Sequence, residues 1–238
     1  DNTQDIVHEL KKLHPEILYY RNPQNLGFDG NFLNCFEHAN GEYIWLLSDD
    51  DIILPGAIES VLTGCEKKPV CMHLNSTNVI SEDTLLFGEP RFNEEGFIEY
   101  FDKNLFIEKI GIFCTFLSSL IYNLDLVRQV EDKERYFNTN ILQSHIFFEI
   151  MRNNGLYILN TFNCLAARSN KKVSYDVLRT WVKNYSDLMI TTADRCGFDT
   201  NRMKKILRKD LNNTIYEFVL KFRQTCDNEK NWDRECIW

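Results

Sequence analysis

The sequence predicts an α/β fold, in which a mixed, mainly parallel sheet is flanked by helices and followed by a C-terminal helical region. Helical and strand-like segments alternate through the first half of the chain, as expected when helices cover a sheet. The run from Tyr43 to Leu47 is apolar throughout, which favours a strand buried on both faces. From Tyr175 to about Lys221 the periodicity is helical.

The individual elements follow from this periodicity and from the residues that interrupt it. Gly41 separates a helix from the strand that begins at Tyr43, and Pro55 stands at the first turn of a helix, where proline is tolerated. We predict helices over residues 3–14, 31–39, 56–67 and 141–153, and strands over residues 17–21, 43–47, 71–79, 111–122 and 156–159.

Composition limits the class of protein. The chain has 238 residues, of which 44% are hydrophobic and 26% charged, enough for one large domain or a domain with a helical appendage. We predict a sheet-containing domain over residues 1–172 and a helical region over residues 173–238. The net charge of -8 argues against a nucleic-acid partner, because duplex binders need a basic face.

Cysteine usage and hydropathy predict the compartment. The eight cysteines include no CxxC pair, so we favour reduced, mostly buried thiols over a disulfide framework and expect a cytoplasmic location. No apolar run approaches the roughly 20 residues that span a bilayer. The chain opens with a capping residue and an apolar-periodic helix, which we interpret as the interior of a fold whose first strand is missing.

Three successive carboxylates follow the strand that begins at Tyr43. Asp49, Asp50 and Asp51 lie after Ser48, at the kind of strand end where open α/β sheets bind ligands. Like charges repel and resist desolvation, and a bound Mg²⁺ or Mn²⁺ would offset that cost. The alternative is a solvated acidic turn that caps the following helix.

The stretch NPQNLGFDGNFLNCFEHANGEYIWLLSDDDIILPGAIESVL joins an Asn-x-Gly loop, a helix, Gly-Glu-Tyr, a hydrophobic strand, the aspartates and a Leu-Pro helix start. In this order of features the chain resembles the family 2 glycosyltransferases of the GT-A fold, a Rossmann-like architecture. The resemblance is specific over residues 1–65 and looser to about residue 170. It implies a nucleotide diphosphate sugar as donor, and a missing upstream segment with the first strand and an aspartate that holds the base.

The resemblance also implies roles for individual residues. Asp50 would be the catalytic metal ligand, with Asp51 alongside it and Asp49 near the ribose or the metal, and the metal would be Mn²⁺ or Mg²⁺. The residues that would line the nucleotide pocket are Asn25, Gly27 and Asn31. A glycine and a helix N-terminus agree with this role, since both allow close approach of a phosphate. Without the neighbouring strand, a plain turn would be the better explanation of Asn25 and Gly27.

Direct displacement with inversion is the implied mechanism, in which a general base takes the proton of the acceptor hydroxyl. Many relatives use an acidic residue of a Glu-Asp pair, and here Gln143 and Ser144 stand at those positions. His145 is the nearest substitute because a neutral imidazole is poised near physiological pH. A packed or capping histidine is the alternative, and Glu149 would either orient His145 or serve as a surface acid.

Basic and hydroxyl residues supply further candidates. Arg168 follows the last predicted strand, before Lys171 and Lys172, where a cation would meet the donor diphosphate; a solvated basic turn is the alternative. Ser118 and Ser119 could contact acceptor hydroxyls or simply lie in the core.

A helix near the C-terminus is basic on one side and apolar on the other. Such a helix can lie on an anionic membrane, which would suit a polyprenyl-linked acceptor, or it can be an ordinary half-solvated helix. The basic residues are Arg202, Lys204, Lys205, Arg208 and Lys209.

Taken together, these features predict an inverting, metal-dependent hexosyl- or deoxyhexosyltransferase that acts on a glycan or lipid-linked acceptor in bacterial surface polysaccharide (O-antigen or capsule) synthesis, at the inner face of the membrane. One alternative is a catalytically silent domain that binds nucleotide sugar or glycan, because the Glu-Asp pair is lost. A nucleotidyltransferase is another, although it would need a glycine-rich phosphate loop that this sequence does not show.

Overall fold

A computed structural model describes residues 2–81, 86–168 and 175–225, with backbone alone for residues 221–225. Its strands are β1 Tyr43–Trp45, β2 Ile52–Ile53, β3 Cys71–Ser81, β4 Leu86–Phe87, β5 Phe97–Tyr100, β6 Leu120–Asn123 and β7 Tyr157–Ala167. Its helices up to that strand are α1 Thr3–Leu13, α2 Gly27–His38, α3 Ala57–Glu66, α4 Lys103–Ile110, α5 Leu124–Gln129 and α6 Leu142–Ile150. Short 3-10 turns occupy Gly111–Thr115, Leu117–Ser119 and Lys133–Tyr136.

The strands form one mixed sheet in the order β1-β6-β3-β7-β2, with β4 beside β3 and β5 beside β7. The mixed sheet flanked by helices is confirmed, but its parallel part is smaller than predicted. Strand β6 runs antiparallel to both β1 and β3, while β3 and β7 are parallel. Strands β1, β3 and β7 therefore share one direction, and their carboxyl ends meet at one edge of the sheet.

The prediction of a strand over residues 111–122 is wrong for most of its length. Two 3-10 turns precede β6, and hydroxyls in them bond to nearby carbonyls. Thr115 Oγ1 donates to Ile112 O at 2.7 Å, and Ser119 Oγ donates to Phe116 O at 2.7 Å. Local bonds of this kind compete with a strand ladder, so the apolar run with interleaved Ser and Thr folds into turns.

The strand predicted over residues 17–21 is also absent. A strand requires a hydrogen-bonded neighbour, and within the described residues β1 lies at the edge of the sheet with β6 as its partner. Leu18 is 61% exposed, and helix α1 buries none of its residues. The run from Tyr43 is likewise a strand only as far as Trp45, since Leu47 is exposed.

Helix α6 is buried on every side, whereas the sequence predicted an amphipathic helix. All of its residues are buried, because α2, α5 and β6 pack against it together with the helical turn Leu188–Thr192. Asp29 of α2 caps its start by accepting the backbone N–H groups of Asn140 at 3.0 Å and Leu142 at 3.2 Å. Helix α6 thus links α2 to the C-terminal helical region.

The predicted C-terminal helical region is confirmed within the described residues. A helix with π-helical turns runs from Arg179 to Arg195, and a second runs from Thr200 to Thr225. Tyr185, Leu188 and Met189 lie in the main core cluster, so this region packs on the sheet domain as expected. The domain boundary predicted between residues 172 and 173 lies outside the described residues.

Candidate active site

The acidic loop lies at the carboxyl edge of the sheet, between the end of β1 and the short strand β2, which runs in the opposite direction. Ser48 to Asp51 follow β1, and β2 then pairs with the end of β7, opposite Leu165 and Ala166. The backbone N–H of Arg168, just past β7, donates to the Asp51 carboxylate. This placement confirms that the aspartates stand at the strand ends, where open α/β sheets bind ligands.

Serine hydroxyls hold the loop in place. Ser118 Oγ donates to Asp51 Oδ2 at 2.6 Å and accepts the backbone N–H of Ser48 at 3.0 Å. Ser48 Oγ donates to Asp50 Oδ1. Ser118 is fully buried, so the predicted contact between Ser118 and an acceptor hydroxyl gives way to a role in fixing the carboxylates. Asp49 is the exposed member of the triplet.

The surroundings of Asp51 shift its pKa. Burial raises its pKa above the ordinary value of 3.8, and the neighbouring Asp50 raises it further. Ser118, the Arg168 N–H and the positive charge of Arg91 act in the opposite direction and lower it. The loop therefore holds negative charge in a partly desolvated place. Two hydrogen-bond donors and one cation offset part of the free-energy cost of ionising Asp51 there.

The carboxylates fit a hard divalent cation. In the part of the chain that the structure describes, no three His, Cys, Asp or Glu side chains form a metal cluster by themselves. Mg²⁺ and Mn²⁺ sites that act on phosphates use one or two carboxylates and take the remaining ligands from water and the substrate. Asp50 and Asp51 match that chemistry, since both are half-buried and face the same edge of the sheet.

The residues predicted to line the nucleotide pocket build the start of α2. Asn25 Oδ1 accepts the backbone N–H of Gly27 at 2.8 Å, and Gly27 has φ +70°, a conformation that favours glycine. The helix begins at Gly27, four residues earlier than predicted. Asn31 Oδ1 accepts from Asn22 at 2.9 Å, and Asn22 in turn accepts from Asn34. Their role in nucleotide binding stays a prediction.

His145 lies elsewhere in the fold. Its side chain is 2% exposed, Nδ1 is 2.9 Å from Thr192 Oγ1, and the ring stacks on Tyr136 at 4.3 Å. Burial and the charge of Arg195 lower its pKa to about 3, which makes it a weak base at neutral pH. The described contacts are those of a packed histidine, and they do not join it to the acidic loop.

Glu149 is a buried acid, not a surface one. It is 5% exposed and accepts from Tyr136 and from Arg195, the latter at 3.0 Å. Gln143 and Ser144, at the positions of the Glu-Asp pair in relatives, are also buried. Gln143 Nε2 donates to Thr115 O at 3.1 Å. The start of α6 therefore presents no carboxylate to the acidic loop in the described residues.

Two polar residues near the acidic loop and its supporting segment, Arg91 and His73, were not predicted from the sequence. Arg91 lies between β4 and β5, close enough to Asp51 for each to shift the pKa of the other. It is the one cation in the stretch GEPRFNEEG, which was the available signal. His73, buried in β3, contacts Phe113 O and Ser119 Oγ through Nε2 at 3.1 Å and 3.0 Å. Its position in the strand predicted over residues 71–79 was visible in the sequence, but its contacts with residues some 40 positions away were not.

Three further predictions concern membrane spans, cysteines and the basic residues that follow β7. Among the described residues, no helix combines the length and the apolar character needed to cross a membrane. The described cysteines are all free, and Cys71, Cys114, Cys164 and Cys196 are buried, as predicted for reduced thiols. Arg168 is exposed at the end of β7, whereas Lys171 and Lys172 lie outside the described residues.

The fold and the acidic loop place the protein in the class of open α/β proteins that bind a ligand at the carboxyl edge of the sheet. The model of Glycosyl transferase family 2 matches residues 1–130. The chain belongs to this family.

Individual relatives agree with this assignment. The chain is 26% identical over 159 residues to abequosyltransferase RfbV of Salmonella typhimurium, covering 63% of this chain and 45% of the relative. It is 38% identical over 64 residues to the GalNAc(5)-diNAcBac-PP-undecaprenol beta-1,3-glucosyltransferase of Campylobacter jejuni, covering 26% of this chain and 20% of the relative. The chain therefore spans less than half the length of either curated relative.

Solved structures support the fold. The crystal structure of S. aureus TarS 1–349 in complex with UDP-GlcNAc superposes with a TM-score of 0.64 and 16% identity, covering 89% of this chain and 60% of TarS 1–349. A second crystal structure of TarS 1–349 gives the same TM-score at 15% identity, covering 97% of this chain and 64% of that one. The GT-A architecture is thereby confirmed.

We predict that Asp51→Asn stabilises the protein at neutral pH when no metal is present. The raised pKa means that the folded state binds the Asp51 proton more tightly than the unfolded state does, so ionisation costs stability above that pKa. Urea unfolding should show a higher midpoint for the variant at neutral pH, and the gain should shrink as the pH falls towards 3.8, the ordinary pKa. A variant less stable at neutral pH would contradict this. Asp125→Asn, on the exposed side of α5, is the matched control.

Proposed function

We propose that this chain is the catalytic part of a glycosyltransferase that moves a sugar from a nucleotide diphosphate sugar to a glycan or polyprenyl-linked acceptor. The observation that carries the proposal is the half-buried pair Asp50 and Asp51 at the carboxyl edge of the sheet, in a member of Glycosyl transferase family 2. The TarS structure holds UDP-GlcNAc, and the name of the Campylobacter relative includes a PP-undecaprenol glycan. Both support a nucleotide sugar donor and a lipid-linked acceptor.

In this proposal Asp50 and Asp51 hold Mn²⁺ or Mg²⁺, which would neutralise the departing nucleoside diphosphate. Ser118 and Ser48 fix the two carboxylates through the hydrogen bonds described above. Arg168 follows β7 beside the loop, and in this proposal its exposed side chain contacts a donor phosphate. Inversion follows if the acceptor hydroxyl attacks the anomeric carbon directly, from the side opposite the diphosphate.

The setting that we propose is bacterial surface polysaccharide synthesis, such as O-antigen or capsule, at the cytoplasmic face of the membrane. The name of the Salmonella relative, abequosyltransferase, supports a hexosyl or deoxyhexosyl donor.

A catalytically silent domain that binds nucleotide sugar or glycan is the second candidate. The observation that favours it is the start of α6, where Gln143 and Ser144 are buried and carry no carboxylate. His145 does not replace the lost base through any described contact with the loop. Turnover separates the two candidates, because both would bind the donor.

We predict that Asp50→Ala abolishes transfer and donor hydrolysis while the protein stays folded. Loss of one carboxylate removes a metal ligand and also relieves charge repulsion in the metal-free loop. The measurement is release of nucleoside diphosphate from a panel of nucleotide sugars with Mn²⁺, for the wild type, Asp50→Ala and the control Asp125→Ala. Full activity in EDTA would contradict the metal assignment, and donor binding without turnover with any acceptor would favour the silent domain.

His145→Ala tests the predicted general base. Because its ring is packed against Tyr136 and its pKa lies at about 3, we expect turnover per folded molecule to fall by less than about threefold, and stability to fall instead. Turnover is measured at saturating donor and corrected for the folded fraction by circular dichroism. A loss near 100-fold, the order expected for removal of a general base, would instead assign that role to His145.

The cationic side of the helix Thr200–Asp210 supports contact with an anionic membrane. Its apolar residues Met203, Ile206 and Leu207 are buried in the core, so the cations stay on the outer side. Arg202 lies 3.9 Å from Asp102 and 3.8 Å from Glu108. The exposed cations of the helix are Lys204, Lys205, Arg208 and Lys209.

We predict that replacing these four exposed cations by glutamine lowers binding to phosphatidylglycerol vesicles about 10-fold or more. A basic residue near an anionic surface contributes about 1 kcal/mol, so four of them dominate a weak attachment. Co-sedimentation is measured against phosphatidylcholine vesicles, with Lys11→Gln/Lys12→Gln on α1 as the control. Equal sedimentation of wild type and quadruple variant would remove the membrane from this proposal.

A further inference from the structure

Arg91 is fixed at the same edge of the sheet as the acidic loop. It lies between β4 and β5, and its backbone N–H donates at 3.0 Å to the carbonyl oxygen of Ser76 in β3, which is level with Leu165 of β7. Its side chain repeats this attachment, since Nε donates to Ser76 Oγ at 2.8 Å and Nη2 lies 3.3 Å from Asn78 Oδ1. Strand β3 therefore positions the guanidinium.

Aromatic side chains fix the orientation of the guanidinium. Its carbon lies 4.1 Å from the centroid of the Phe113 ring and 5.7 Å from that of Phe116. A cation is attracted to the face of an aromatic ring at such distances. A hydrogen bond fixes Phe113, because its backbone carbonyl accepts from His73 Nε2. A carbonyl can only accept, so Nε2 carries the proton. Ser119 Oγ, which also contacts Nε2, uses its own proton to donate to Phe116 O. A buried polar network thus supports the plane on which Arg91 rests.

The positive charge of Arg91 interacts with Asp51 of the acidic loop, but the two groups do not form an ion pair. Its attraction to Asp51 lowers the pKa of Asp51, while burial lowers the pKa of Arg91 itself. Among the described residues, no carboxylate lies within the 4.0 Å of an ion pair with its guanidinium. Ser76 and Asn78 engage two of the five N–H donors.

We propose that Arg91 binds the diphosphate of the donor, beside the acidic loop that would hold the metal. A planar guanidinium with several donors matches phosphate oxygens better than an ammonium does. Half-burial strengthens such a contact, because water competes less for the charge. The inference rests on the proposed function and adds to it a residue that binds the leaving group.

Arg91→Met tests this contact through two affinities that change in opposite directions. Methionine keeps an apolar stem over Phe113 and removes the cation. The affinity for a nucleoside diphosphate, chosen from UDP, GDP, CDP and dTDP by thermal shift with Mn²⁺, should fall on the order of 10- to 100-fold. The affinity for Mn²⁺ alone, measured by electron paramagnetic resonance at pH of about 8, should hold or rise, because a cation beside Asp51 is gone.

Controls separate this result from collapse of the loop or from a general charge effect. Arg128→Met, on α5, removes the same charge elsewhere and should change neither affinity, and Arg91→Lys should retain part of the diphosphate affinity. Loss of both affinities in Arg91→Met would mean that Arg91 only holds the loop together. Unchanged diphosphate affinity would mean that Arg91 only balances the charge of Asp51, and either outcome overturns the inference. A wild type that binds no diphosphate with Mn²⁺ would overturn the proposed function as well.

Discussion

The site depends on one electrostatic constraint: Asp50 and Asp51 stand side by side in a partly desolvated place. There the two negative charges repel each other and lose part of their hydration. Ser48 and Ser118 donate hydroxyl hydrogen bonds to them, the Arg168 N–H reaches Asp51, and Arg91 adds a positive charge nearby. These donors offset only part of the cost, since the pKa of Asp51 is still raised. The proposed divalent cation would balance the remaining negative charge of this loop.

The segment from Gly111 to Ser119 connects this loop to the rest of the core. Ser118 contacts the loop, Ser119 contacts His73 in β3, and Thr115 accepts from Gln143 in α6. Because these groups are buried, each hydrogen bond that they make avoids the larger cost of an unpaired polar group. The polar contacts that position the acidic loop are therefore part of the core packing.

The aspartates could be located from the sequence because three local signals mark them: an apolar strand, a run of charges and a helix start. Helix α3 and strand β3 were predicted for the same kind of reason, within two residues of their observed bounds. The predictions were wrong or incomplete where tertiary contacts decide the outcome. The insertion of β6 between β1 and β3, the burial of α6 and the approach of Arg91 to Asp51 all join residues far apart in the chain, and no local pattern records them.

The most direct test is a crystal grown with Mn²⁺ and the nucleoside diphosphate that stabilises the protein most. Anomalous scattering at the manganese edge locates the ion independently of the protein density. The account predicts a peak bound to Asp50 and Asp51 and bridged to the diphosphate. A diphosphate bound elsewhere, or an ordered loop of residues 48–51 with no metal beside it, would contradict the central claim.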